Sequence, residues 1–110
     1  MALSFKSLNI QESFIIIKEG ALIIDVREED EFNQAHIKNS ILIPLSKLTS
    51  EKIISLNPDN KKIIIHCRSG KRSKVAANIL INQNYTGEIL EMDSGIIGWI
   101  ESKLPVISKT

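Results

Sequence analysis

Lys61-Lys62-Ile63-Ile64-Ile65-His66-Cys67-Arg68-Ser69-Gly70-Lys71-Arg72-Ser73 is the stretch on which the reading of this chain turns. Its β-branched run predicts a buried strand, Ser69-Gly70-Lys71-Arg72 a tight loop, and the residues from Arg72 onward a helix. The only cysteine of the chain sits at the strand-to-loop corner. Loop N–H groups and the start of a helix can converge there on one sulfur, which makes the corner an anion site.

Outward from that stretch, apolar runs and helical patterns alternate. Toward the N-terminus, Phe5 to Leu8 predicts a short edge strand, and Asn9-Ile10-Gln11-Glu12 a capping box that opens a helix with Ile10, Phe14 and Ile17 on one face. Gly20 ends that helix, and Ala21-Leu22-Ile23-Ile24-Asp25-Val26 follows as a continuous apolar run, the pattern of a strand covered on both faces. Glu28 to Phe32 begins a second helix, acidic at its start and with His36 and Lys38 near its end, as the helix dipole favours. Ile41 to Ile43 is a third strand stopped by Pro44. A helix is predicted over Leu48 to Leu56, before the turn cluster Asn57-Pro58-Asp59-Asn60.

Beyond the loop, Val75, Ala76, Ile79 and Leu80 mark the buried face of a helix that fades at Asn82-Gln83-Asn84. Glu88 to Met92 is a last short strand. Ile96, Ile97, Trp99, Ile100 and Leu104 give a closing helix one apolar side, with Trp99 in the core, before Pro105 turns the chain into its tail. Alternating strands and helices predict an α/β sheet, in which ligands bind beyond the carboxyl ends of the strands. Cys67 and Asp25 both stand at such ends.

With 110 residues and 43% hydrophobic content, the chain is the size of one compact domain over residues 1–110. Fourteen basic residues against 13 acidic ones leave a formal net charge of +1, so no global field draws nucleic acid or an acidic membrane surface. A lone cysteine excludes an internal disulfide and points to a reducing, cytoplasmic setting. Neither a signal-peptide pattern at the start nor an apolar run of membrane-spanning length is present.

A cysteine acts as a nucleophile only as thiolate, which helix N-termini and nearby cations favour. Isolated cysteines are most often small buried hydrophobes. Here Gly70, the cations Arg68, Lys71 and Arg72, and the strand-to-helix junction argue for chemistry. His66 is not a partner base, because successive strand residues point to opposite faces; it and His36 read as structural. The cysteine-dependent phosphatases place an arginine at the sixth position after the cysteine, where this chain has Ser73. A tighter ring suits a single sulfur atom better than a phosphoryl group.

In their order and spacing, the motifs resemble the rhodanese-like sulfurtransferases across nearly the whole chain. Asp25-Val26-Arg27, Glu31-Phe32, Ala35-His36-Ile37-Lys38-Asn39-Ser40 and Ile43-Pro44-Leu45 are similar to the family's Asp-Val-Arg, Glu-Phe, Gly-His-Ile and Ile-Pro-Leu series. Cys67-Arg68-Ser69-Gly70-Lys71-Arg72-Ser73 resembles its six-residue active loop with the following serine, and Gly95-Ile96-Ile97-Gly98-Trp99 with Leu104-Pro105-Val106 its closing helix. Ala35, Asn39 and Ser94 stand where that family usually has glycine. Asn tolerates the left-handed conformation, whereas Ala35 would be strained if its position required positive φ.

The resemblance implies a central, mostly parallel five-stranded sheet with helices on both faces. It implies that Cys67 takes the outer sulfur of an anionic donor such as thiosulfate, holds it as a persulfide, and passes it to cyanide, a thiol or a protein cysteine. Carried over residue by residue, Cys67 is the nucleophile and the backbone N–H groups from Arg68 through Ser69, Gly70, Lys71 and Arg72 to Ser73 cradle the persulfide. The side chains of Arg68, Lys71 and Arg72 bind and steer the donor, while Asp25 and Arg27 brace the loop, with Glu31 the expected partner of Arg27. With no second cysteine, the sulfur must leave to another molecule. The alternatives are a non-enzymatic module of the same fold that binds a partner or senses oxidants, and a phosphatase, which Ser73 disfavours.

Overall fold

Five short strands lie side by side in the order β1-β5-β4-β2-β3, and each pairing is parallel. The computed structural model describes residues 4–108; residues 1–3, 109 and 110 of the single-domain reading lie outside the described residues. In chain order the elements are β1 (Phe5–Leu8), α1 (Ile10–Lys18), β2 (Leu22–Asp25), α2 (Glu29–Gln34), β3 (Ile41–Leu42), α3 (Ser50–Leu56), β4 (Ile63–His66), α4 (Lys71–Asn82), β5 (Ile89–Met92) and α5 (Gly95–Glu101).

Parallel strands bury both faces, so their side chains alternate between two cores rather than between core and water. Ile63 and Ile65 of β4 join Ile24, Ile53, Ala76, Ala77 and Leu80 on the face covered by α3 and α4. Ile64 points the other way, to Ile10, Leu90, Met92, Ile96 and Trp99 under α1 and α5. Trp99 is buried, and its indole N–H donates to the Pro105 carbonyl at 2.8 Å. Central β4 thus ends in the middle of the sheet, flanked by β2 and β5, and delivers Cys67 to the point where their carboxyl ends meet.

The capping box at Asn9 forms as the sequence predicts. Several local expectations differ. α2 stops at Gln34, because Ala35 is extended at φ −164° and starts the segment in which His36 forms an antiparallel bridge with Ile107. Ala35 therefore needs no left-handed backbone; Asn39 supplies it at φ 69°. Leu45–Lys47 form a short 3-10 turn after Pro44, so α3 starts only at Ser50, capped by Thr49. Val75 and Ile100, expected in the core, are exposed: helix α4 buries Ser73 along with Ala76, Ala77 and Leu80, and α5 turns Ile96 and Trp99 inward instead.

Candidate active site

The strand ends at His66 and α4 begins at Lys71, leaving Cys67 to Gly70 to make the turn. Gly70 permits it by adopting φ 100°, and a Cβ there would overlap the Asp93 carbonyl oxygen. Cys67 is 1% exposed, and its Sγ accepts hydrogen bonds from the Gly70 N–H at 3.2 Å and the Ser73 N–H at 3.3 Å. Ser73 lies in the first turn of α4, where N–H groups have no intrahelical acceptor, so its donor is available to the sulfur. The remaining N–H groups from Arg68 to Arg72 make no hydrogen bond with Sγ.

The loop is gripped from its carbonyl side by the next structural corner. Ile96 N–H donates to the Cys67 carbonyl at 2.9 Å and Ile97 N–H to that of Arg68 at 3.1 Å, using the unpaired donors at the start of α5. Gly95, at φ 64°, lets the two backbones meet, since a Cβ on it would run into Arg68 and Cys67 carbonyl groups. With the Cys67 and Arg68 carbonyls held by α5, the Gly70 and Ser73 N–H groups are the ones that meet the sulfur.

Of the three loop cations, Arg68 and Lys71 are exposed and Arg72 is tied down. The Arg72 guanidinium bonds Glu31 through both prongs, at 2.7 and 2.9 Å. That contact holds the Glu31 carboxyl at a pKa of about 2 and raises that of Arg72. Glu31 is thus the partner of Arg72 and not of Arg27. Arg27 instead grips Asp25 through Nε and Nη2, at 3.0 and 2.8 Å, and donates to the carbonyls of Glu31 and Ala35. The pair is buried and fastens the end of α2; none of its hydrogen bonds reaches the loop. Arg27 and Arg68 do line one groove of about 260 Å³, together with Ile96, Ile97 and Ile100.

Asp25 approaches the cysteine only through His66. The His66 ring is fully buried, with Nδ1 3.2 Å from the Cys67 carbonyl and Nε2 3.5 Å from Asp25 Oδ2. A carbonyl only accepts, and Nδ1 is the ring nitrogen within hydrogen-bond geometry of an acceptor, so Nδ1 carries the proton, while Nε2 has no hydrogen-bond partner among the described residues. Burial pushes the imidazole pKa below its ordinary 6.5, against the pull of Asp25, so the ring is neutral and the contact is not an ion pair. His36 stacks on Phe32 and bonds its carbonyl, away from the loop.

Behind the sulfur lies a group that the sequence reading passed over. Glu91, 0% exposed in the middle of β5, accepts from the Ser73 hydroxyl at 2.6 Å, from the Ser7 hydroxyl, and from Lys74 Nζ at 3.1 Å. Lys74 also bonds Asp93 at 2.6 Å; burial of the ammonium works against its charge, but the bonds to Asp93 and Glu91 prevail and raise its pKa. The signal was available: a carboxylate inside Ile89-Leu90-Glu91-Met92 is a charge in a buried strand, and such a charge requires partners. Among the described residues no cluster of side chains could hold a metal ion, and no helix is long and apolar enough to cross a membrane.

Comparison with known proteins agrees with this arrangement. The rhodanese-like domain family matches residues 13–102. A sulfurtransferase of Allochromatium vinosum is 32% identical over 90 residues, covering 82% of this chain and 81% of its own. The thiosulfate sulfurtransferase GlpE of Haemophilus influenzae (strain PittEE) is 29% identical over 105 residues, or 94% and 96% of the two chains. A crystal structure of a rhodanese-related protein from Thermoplasma volcanium superposes with a TM-score of 0.79 at 36% identity, covering 94% of this chain and 98% of that one. An all-parallel sheet that ends its central strand in a cysteine loop, matched in sequence across that span, places the chain in the rhodanese-like domain family.

Proposed function

We propose that this chain is a sulfurtransferase that carries sulfane sulfur on Cys67. The observation that supports it most directly is the convergence of the Gly70 and Ser73 N–H groups on Sγ, a cradle fitted to one sulfur atom with negative charge. Relatives named sulfurtransferase over most of both chains point the same way.

In the first half-reaction the Cys67 thiolate attacks the outer sulfur of an anionic donor such as thiosulfate. A sulfur–sulfur bond forms at Sγ, and the donor's own sulfur–sulfur bond breaks with its electron pair leaving on sulfite. Arg68 and Lys71, exposed beside the cysteine, attract the donor; Arg72 contributes field from within its pair with Glu31. The loop N–H groups then hold the persulfide. In the second half, cyanide or a thiolate, free or on a protein, attacks the outer sulfur, and Cys67 departs as thiolate, ready for the next donor. With one cysteine in the chain, no internal disulfide competes with this outcome. Asp25 and Arg27 serve by fixing α2, which carries Glu31 to Arg72. The chemistry suits the reducing cytoplasm.

The test uses the purified protein. After incubation with thiosulfate, intact mass is expected to rise by one sulfur atom, and cyanide to release thiocyanate with return of the original mass. Cys67→Ser is expected to abolish both. Thiocyanate formation that survives the substitution overturns the proposal, as does the absence of any sulfur adduct with thiosulfate and organic persulfide donors alike. The latter result, joined to stoichiometric capture of a protein partner, identifies a binding module of the same fold.

A further inference from the structure

Cys67 faces donors on one side and something different on the other. The Ser73 hydroxyl lies 3.8 Å from Sγ, 3.1 Å from the Gly70 carbonyl oxygen and 2.6 Å from Glu91 Oε2. It has one proton to give, and the short bond to a carboxylate outcompetes the bond to a neutral carbonyl. The oxygen that Ser73 presents to Sγ is therefore a lone pair. Such a lone pair accepts from a thiol S–H and repels a thiolate.

Behind the hydroxyl stands the Glu91 carboxylate, fully buried and one hydrogen bond further from the sulfur. Ser7 on β1 and Lys74 on α4 donate to its other oxygen, and Asp93, just after β5, shares the Lys74 ammonium. Arg72, one residue before Ser73, is paired with Glu31, and the loop's other cations, Arg68 and Lys71, are exposed to solvent. The Cys67 carbonyl faces neutral His66, behind which Asp25 and Arg27 form a closed pair. Among these groups, Glu91 with Ser73 is the one that opposes ionisation of the sulfur through a direct hydrogen-bonded chain.

We infer that Glu91 is a positioning residue that, acting through the Ser73 hydroxyl, holds Cys67 as a thiol and sets the pH at which it becomes a nucleophile, with Lys74 as the counter-charge that moderates it. The inference rests on the reading of Cys67 as the nucleophile. It assigns the residues of β5 and α4 a role in the timing of reactivity: N–H groups in front favour the anion, while a lone pair and a carboxylate behind restrain it.

The decisive experiment is the pH dependence of Cys67 alkylation by iodoacetamide, followed by intact mass, in the wild type, Glu91→Gln and Lys74→Met. The Gln carbonyl still accepts from Ser73, so Glu91→Gln removes the charge with little change in shape. Its profile is expected to move to lower pH by about one unit, while Lys74→Met moves it upward by about half a unit. A purely structural role gives a different signature: loosened packing speeds alkylation at every pH and leaves the midpoint in place. An unmoved or raised midpoint in Glu91→Gln overturns the inference. Should that variant lack the native circular dichroism spectrum, Lys74→Met decides, and an unmoved or lowered midpoint overturns it. Alkylation reads the free thiol, so a protein that transfers no sulfur would refute the proposed function while leaving these profiles to be judged separately.

Discussion

Arg72 at the start of α4 and Glu31 in α2 join by two parallel hydrogen bonds, 2.7 and 2.9 Å long, across 41 positions of sequence. The contact fastens α2 to the cysteine loop and fixes the guanidinium beside the site. Glu31 has its pKa lowered from 4.5 to about 2, so the stability it contributes is complete above pH 4.5 and lost as the pH falls toward 2. Glu31→Gln is expected to flatten the decline in unfolding free energy over that window. At neutral pH it should cost about 0.5 to 1 kcal/mol, the scale of a partly exposed pair, as measured by urea denaturation across the acid range.

Gly70 combines two demands that can be separated by comparison with Gly20. Both adopt strongly positive φ, 100° and 105°, but a Cβ on Gly20 meets nothing within 4 Å, whereas one on Gly70 overlaps the Asp93 carbonyl. Gly20→Ala is expected to cost about 1 kcal/mol from backbone strain alone. Gly70→Ala should cost more than that by about 1 to 3 kcal/mol and abolish the N–H cradle, seen as loss of sulfur transfer by at least about tenfold. Equal destabilisation of the two variants would show that the Asp93 contact relaxes without cost.

Removing Asp25 strands the Arg27 charge in the interior, since the pair is 0% and 4% exposed. Asp25→Ala is expected to lose about 3 to 5 kcal/mol in equilibrium unfolding. The double variant Asp25→Ala with Arg27→Met should recover part of that loss, because it removes the stranded charge along with its partner.

His66 offers a spectroscopic prediction. Its ring nitrogens should report the neutral form with the proton on Nδ1, and their resonances should stay fixed as the pH falls through 6.5. Because its folded pKa is depressed, the unfolded chain takes up the proton first. Native stability is therefore lost progressively below pH 6.5. His66→Gln is expected to reduce that slope, read by thermal melts at successive pH values. A ring resonance that titrates with a midpoint near 6.5 would contradict the buried neutral assignment.

Most of the architecture could be read from local pattern. The three isoleucines before His66 and the apolar run before Asp25 each announce a parallel strand, because only a sheet covered on both faces tolerates unbroken hydrophobicity. The cysteine loop was legible because Gly70 and the strand-to-helix change lie within a few residues of Cys67. Contacts between distant segments were not. Glu31 sits four positions after Arg27, which invites a helical pair, yet Arg27 precedes α2 and folds back on Asp25, leaving Glu31 to Arg72. Glu91 escaped for a related reason: its meaning depends on Ser73 and Ser7, which the packing of α4 on β5 and the β1–β5 pairing bring to it.

The hold of α5 on the loop carbonyls has a consequence for anyone who would move this chemistry elsewhere. Residues 67–73 do not form a portable cassette. The donors at Ile96 and Ile97 that orient the Cys67 and Arg68 peptides belong to a helix much later in the chain, and Gly95 is shaped to let that helix come close. Grafting the heptapeptide onto another strand-to-helix junction would carry over the sulfur and leave behind the corner that aims the amides at it. The smallest transferable unit is two adjacent strand ends with the first turns of both following helices, and those two turns should open together in hydrogen exchange.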